Sequence, residues 1–327
     1  MAVRRPFSDR VDELALLVAP QIRAAFAEVL VRIRSEWELG RLESLIAAGR
    51  IEDALSRVAV LAARLGDEVV QAQLVAATRT ATFLRTRGAT ASRFDLTNQR
   101  AVDQMRRLRL RAIDMFSSEQ VAAARQAMTR GIVEGVGLAE QARAVRDSIG
   151  ITPYHEQLVE NYRRELLTGD PRALKRRLRD RRFDSTTRRA FKAGTPLTEA
   201  EIEARVSAYR RRWVNFNAET IARTHSLSAV HSGSDEMYQQ AIDSGFLNPN
   251  ALVSTWRSAL RGAHRRPDHL AMHGQTRPFG EKFMSPSGVE LAYPGDPDAP
   301  LSETARCACV RVTRVGESLR PRRLTFP

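Results

Sequence analysis

The chain has 327 residues, 43% hydrophobic and 28% charged, which is length for two ordinary domains or one domain plus a long helical part, and apolar content for a sizeable core. That composition excludes a wholly disordered or collagen-like chain, and the two cysteines exclude a disulfide scaffold. The formal charge of +14, from 52 basic and 38 acidic residues, points to an acidic partner, with nonspecific contact to a polyanion favoured over base-specific reading.

Lysine occurs only at Lys175, Lys192 and Lys282, so nearly all the cations are arginine. A GC-rich genome explains that skew but not the excess of base over acid. No uninterrupted apolar run approaches about 18 residues, so no membrane span is expected. Met1 to Arg10 is polar and charged, without a signal-peptide run, which places the chain in a cytoplasm.

Prolines are absent between Pro20 and Pro153 and crowded between Pro249 and Pro300. The proline-free run predicts helices. Val11, Leu14, Val18, Ile22, Phe26, Val29, Ile33 and Trp37 recur at spacings of three and four, on one helical face kinked or restarted at Pro20. Ile51, Leu55, Val58, Ala62, Leu65 and Val69 form a second stripe, with breaks expected at Gly40, Gly49 and Gly88. Thr97 or Asn98 caps a third helix. Ser117 with Gln120 reads as a capping box opening a fourth, which ends near Gly131 to Gly137. Such stripes are how ordinary helical domains pack their cores.

Thr152-Pro153 starts another helix. Residues 172–192 then hold ten basic and two acidic side chains. The cations are Arg172, Lys175, Arg176, Arg177, Arg179, Arg181, Arg182, Arg188, Arg189 and Lys192. The stretch reads either as a solvated face or as a surface for DNA or an acidic protein ring. Its two aromatics, Phe183 and Phe191, are too few for a base-stacking platform. Thr198 with Glu201 is a second capping box, opening a helix through Ile202, Val206, Tyr209 and Trp213 to about Ser244. Beyond Gly245, short strands are expected at 251–257, 289–293 and 308–313. The predicted class is α+β: a mainly helical N-terminal two-thirds and a small C-terminal domain of short strands. The expected division is 1–150 helical domain or arm, 151–212 basic helical connector, 213–315 C-terminal domain and 316–327 tail.

His225, His231, His264, His269, His273, Cys307 and Cys309 all fall in the last hundred or so residues. Alternation along a strand would put both sulfurs on one face, and a disulfide between near neighbours would be strained. His269 and His273 are four apart, so with Cys307 and Cys309 they make a tetrahedral zinc set by ligand type, although CxC is not a zinc-finger spacing. The other reading is two small buried residues and polar surface histidines. Apart from zinc, no cofactor is indicated. Asp268-His269 with His273 also suggests a metal nuclease, but Glu281, Glu290, Asp296, Asp298 and Glu303 form no cluster of persuasive spacing. There is no phosphate loop, GxSxG elbow or HExxH.

The order of motifs carries more information than any one of them. Ile221-Ala222-Arg223-Thr224, Trp256, Arg266-Pro267-Asp268-His269, His273-Gly274-Gln275, Tyr293-Pro294-Gly295-Asp296-Pro297 and Cys307-x-Cys309 follow one another over about 100 residues. This succession resembles the phage Mu protein F-like family, the minor head or head morphogenesis proteins of tailed bacteriophages. Where that family continues Ala-Arg-Thr with Glu, this chain has His225. Where it has Asn-Cys-Arg-Cys, this chain has Arg306-Cys307-Ala308-Cys309.

The resemblance implies a non-enzymatic, few-copy virion component. It would act in procapsid assembly at the portal vertex, inside the head, after assembly in the bacterial host cytoplasm. Its implied partners are the portal protein, the major capsid protein and, nonspecifically, packaged DNA, with no membrane and no small-molecule substrate. The competing readings are a metal-dependent nuclease or toxin-type enzyme and a non-phage DNA-binding structural protein. The architectural expectation is that Arg266, Pro267 and His269 shape a turn against the Cys307–Cys309 strand, with Trp256 in the core and Gly274 and Gly295 in turns.

Overall fold

The computed structural model describes residues 7–258 and 266–315. The expected tail at 316–327, and His264, lie outside them. The helices are α1 Phe7–Glu36, α2 Leu39–Ala47, α3 Glu52–Leu55, α4 Val58–Leu61, α5 Ala63–Thr86, α6 Gln99–Val133, α7 Leu138–Asp147, α8 Pro153–Leu167, α9 Asp184–Ala193, α10 Glu199–Asp243, α11 Pro267–Ala271 and α12 Leu301–Thr304. The strands are β1 Leu252–Arg257, β2 Thr276–Pro278, β3 Phe283–Met284, β4 Glu290–Leu291 and β5 Val310–Val315. This is a mainly helical α+β chain whose strands lie near the C-terminus.

Local chemistry sets several of these boundaries. The Asn98 side chain accepts from the Arg100 amide at 3.0 Å, opening α6. Thr152 accepts from the His155 amide at 3.2 Å, and Pro153 fills the first turn of α8. Thr198 and Glu201 form the reciprocal capping box, at 2.9 Å and 3.3 Å. The expected box at Ser117 and Gln120 is a correction. α6 runs through it unbroken, the Ser117 hydroxyl donates to the Asp114 carbonyl at 3.4 Å, and Gln120 accepts from the Gly150 amide at 2.6 Å. Gly40 likewise does not break a helix but lies in the first turn of α2. The stripe from Ile51 to Val69 is buried as expected but is divided among α3, α4 and α5.

α1 continues through Pro20. Its residues Val11–Glu36 are long and apolar enough to cross a bilayer, with mean hydropathy 1.7 in the most apolar window. A search for uninterrupted runs passes over this helix because Glu13 and Arg23 break the runs while leaving the stretch apolar. The expected stripe from Val11 to Ile33 is buried, as in a core helix, whereas Leu16 and Leu17 are exposed.

The chain forms two compact units, each discontinuous in sequence, which cut across the consecutive blocks expected from proline spacing. One comprises 27–62 and 114–219. Its core joins Ile151, Val159, Tyr162 and Leu166 to Leu197, Ile202, Val206 and Tyr209. Within it Glu156, fully buried, accepts from Arg210 at 3.0 Å and from Arg130 at 3.3 Å.

The other unit comprises, among the described residues, 7–26, 63–113, 220–258 and 266–315. Here α5 and α10 meet at Gly233, where an added Cβ would stand 2.2 Å from the Gln73 carbonyl oxygen. Ala77, Ala81, Leu84, Met237, Tyr238 and Ala241 pack beside that contact, together with Leu252 from β1. The three-stranded sheet is antiparallel with order β2-β1-β5, and Thr255 lies opposite both Thr276 and Val312. As the central strand, β1 buries Trp256 completely. β3 and β4 form a separate two-stranded ribbon.

Candidate functional site: a buried His/Cys cluster and a cationic surface

Pro267 at the first turn of α11 ends the extended backbone of Arg266 and turns His269 inward, where it is 3% exposed. The Trp256 ring meets the His269 ring edge to face at 5.3 Å. His269 Nε2 lies 2.8 Å from Oε2 of Glu303, a buried side chain on α12. With the Nε2 proton given to that carboxylate, Nδ1 keeps its lone pair. Nδ1 faces Cys307 Sγ at 3.4 Å and Cys309 Sγ at 3.6 Å. The sulfurs precede β5, and the Cys309 amide donates to Cys307 Sγ at 3.4 Å.

Several of the resemblance residues bond to the backbone that leads into this cluster. Arg223 Nε donates to the Cys307 carbonyl at 3.2 Å. Thr224 Oγ1 accepts from the Arg306 amide at 3.0 Å. Arg266 Nε donates to the Ser302 carbonyl at 2.6 Å, and its Nη2 donates to the Ala305 carbonyl. Arg306, at φ 54°, is the non-glycine residue in the left-handed region among the described residues. Gly274, at φ 86°, turns the chain so that its amide reaches the Trp256 carbonyl at 2.9 Å. Gly295, at φ 82°, brings the 293–297 turn onto α10, where a Cβ would lie 3.1 Å from the Ser228 nitrogen. Asp296 closes that turn by accepting from the Ala292 and Asp298 amides at 2.7 Å and 2.9 Å.

The expected ligand set is corrected at one residue. His273 is not in the cluster, because α11 ends at Ala271 and His273 Nδ1 accepts from the Ser258 amide at 3.1 Å. Glu303, one of the acids whose spacing suggests no cluster, orients His269.

Cys309 is drawn down, first by the hydrogen bond from Cys307 and then by His269, against the effect of burial. Cys307, the donor of that bond, is pushed up. Burial works against a charge on His269, yet the bond and charge of Cys309 and the bond to Glu303 outweigh it and raise its pKa. Cys307 and Cys309 are 2% and 5% exposed, so the geometry suits a held atom more than a nucleophile meeting substrate. Among the described residues, His269, Cys307 and Cys309 are the group of His, Cys, Asp and Glu side chains close enough to share a metal, and no carboxylate cluster of the nuclease kind accompanies it.

The basic stretch lies in the other unit. Arg172 pairs with Asp170 at 2.6 Å, Arg176 with Glu165 at 2.5 Å, Arg179 with Asp184 at 2.8 Å and Arg182 with Asp180 at 2.6 Å. The hydrogen bond from Arg182 holds the Asp180 carboxyl down at about 2. Arg176 and Arg179 are thereby drawn into the fold, at 21% and 14% side-chain exposure. Lys175, Arg177, Arg181, Arg188, Arg189 and Lys192 are exposed and have no ion-pair partner among the described residues. The cationic surface is therefore smaller than the sequence count. Two of its neutralising acids, Glu165 and Asp170, lie just before the stretch.

Comparison with protein-family models, with curated proteins and with solved structures found no match for this chain.

Proposed function

We propose that the chain is a minor head protein of a tailed bacteriophage, a non-enzymatic, few-copy virion component that acts in procapsid assembly at the portal vertex. The observation that carries this reading is the convergence of the ordered motifs. The neighbours Arg223 and Thr224 and the distant Arg266 all hydrogen-bond to the backbone of residues 305–307 that leads into the cysteines, and Gly295 packs on the same helix as Arg223 and Thr224. That motifs from separate segments meet on one framework supports the reading. Arg306 adds support: its left-handed backbone favours asparagine, the residue the family pattern carries there.

The exposed cations from Lys175 to Lys192 suit contact with an acidic portal ring or with packaged DNA, weakened by salt in either case. The site of action proposed is the head interior or portal vertex, after assembly in the host cytoplasm. Quantitative mass spectrometry of purified heads, normalised to the portal protein, tests the reading. A few to a few tens of copies per head are expected, and absence from both heads and procapsids would overturn it.

A further inference from the structure

The geometry points to a zinc centre held by His269 Nδ1, Cys307 Sγ and Cys309 Sγ, with Glu303 orienting the imidazole from the opposite nitrogen. This inference does not depend on the phage reading.

Four observations carry it. The first is distance. Zinc bonds of about 2.3 Å to sulfur and about 2.05 Å to nitrogen put those atoms about 3.6 Å apart around a tetrahedral ion. The two sulfur–nitrogen separations are 3.4 Å and 3.6 Å, and all three ligand atoms lie within 4.8 Å of one another. The second is lone-pair arithmetic. Nδ1 has one lone pair, which cannot be well aligned with two S–H donors at once but can be aligned with one ion between both sulfurs.

The third is the surrounding shell. A ligating histidine commonly gives its other N–H to a carboxylate, as His269 does to Glu303 at 2.8 Å. The Cys309 amide bonded to Cys307 Sγ would stabilise a thiolate there. The fourth is charge. Two thiolates, a neutral imidazole and a divalent ion sum to zero, which suits a site whose three residues are each at most 5% exposed. Soft sulfur with imidazole selects zinc over hard cations. Three protein ligands leave one tetrahedral position for water. The ion would tie the turn before β5 to α11, two segments that share little regular secondary structure.

The test uses the full chain, purified under reducing conditions without chelator, incubated with zinc sulfate and desalted. About one zinc per chain is expected by elemental analysis, and less than about 0.2 would overturn the proposal. Replacement by cobalt(II) should give intense tetrahedral visible bands and a thiolate-to-cobalt absorption in the near ultraviolet. Cobalt bound without the thiolate band, or a Cys307–Cys309 disulfide in fresh protein, would also overturn it. His273→Ala should keep its zinc, and its loss would refute this ligand set. Cys309→Ser should lose zinc; should that variant not fold, the cobalt spectrum of the unaltered chain decides. Glu303→Gln keeps all three ligands and should lose zinc to a competing chelator at about 10- to 100-fold lower chelator concentration.

Discussion

Arg223 on α10 donates to the main-chain carbonyl of Cys307, 84 residues later, at 3.2 Å. The bond fixes the peptide on which the first sulfur sits. Arg223→Ala should therefore lower stability by about 1 kcal/mol, the scale of one partly exposed charge-assisted hydrogen bond. Thermal unfolding checks this, and Arg223→Lys should restore little because its ammonium lacks the guanidinium's reach and planarity.

Gly233 offers a sharper test of packing. A methyl there would press on the Gln73 carbonyl, which belongs to helix backbone and cannot swing aside. Gly233→Ala should cost about 1–3 kcal/mol or more by forcing α5 from α10, despite the higher helix propensity of alanine. A denaturation midpoint equal to that of the unaltered chain would contradict the close approach.

Glu156 is buried between Arg130 and Arg210. Glu156→Ala should cost about 3–5 kcal/mol, because Arg210 would keep a largely buried charge without its partner. Changing Glu156 and Arg210 together to apolar residues should recover part of that loss, measured as a double-mutant cycle in urea.

Acid should destabilise the fold before the carboxylates titrate. Burial holds His225 down at about 4, with Arg111 adding to it, and burial alone holds His155 at about 4. Unfolded histidine titrates near pH 6.5, so below that value the unfolded chain takes up protons these folded rings refuse. Their contribution is complete above about pH 6.5 and falls as pH drops toward 4, by up to about 1.4 kcal/mol per pH unit for each ring. Urea midpoints at pH 7.5 and 5.5 measure the slope, and His225→Gln should flatten it.

For the cationic surface, the informative set is Arg177, Arg181, Arg188 and Arg189, since these are exposed and have no ion-pair partner among the described residues. Changing all four to Ala should leave the unfolding temperature nearly unchanged. It should reduce the salt dependence of binding to duplex DNA, with a slope smaller by up to about 0.9 for each phosphate no longer neutralised. Arg176→Ala, by contrast, should act on stability, because it leaves the buried Glu165 without its partner.

Legible in the sequence is the chemistry that acts over three or four residues. Thr152-Pro153, Thr198 with Glu201 and Asn98 mark helix starts because cap and amide are covalent neighbours. Ser117 and Gln120 spell the same capping pattern, yet no chain break precedes them and Gln120 bonds to Gly150 instead. Cys307, Cys309 and His269 are legible as ligand types, whereas i, i+4 spacing adds His273 wrongly because it presumes a helix that in fact stops at Ala271. Glu303 has no local signal at all. Its role exists only because α12 and α11 meet, a contact 34 residues apart in sequence. The pairing of Arg176 with Glu165 is hidden similarly, by an acid outside the charge run.

The chain's only two thiols are both sealed inside the fold. For spectroscopy this makes the natural sequence a nearly silent background. A single cysteine placed at an exposed, uncharged position such as Ser185 would be the one fast-reacting site for a maleimide dye or spin label, with neither native cysteine needing removal. Distances to a partner or to DNA could then be measured on an otherwise unaltered chain.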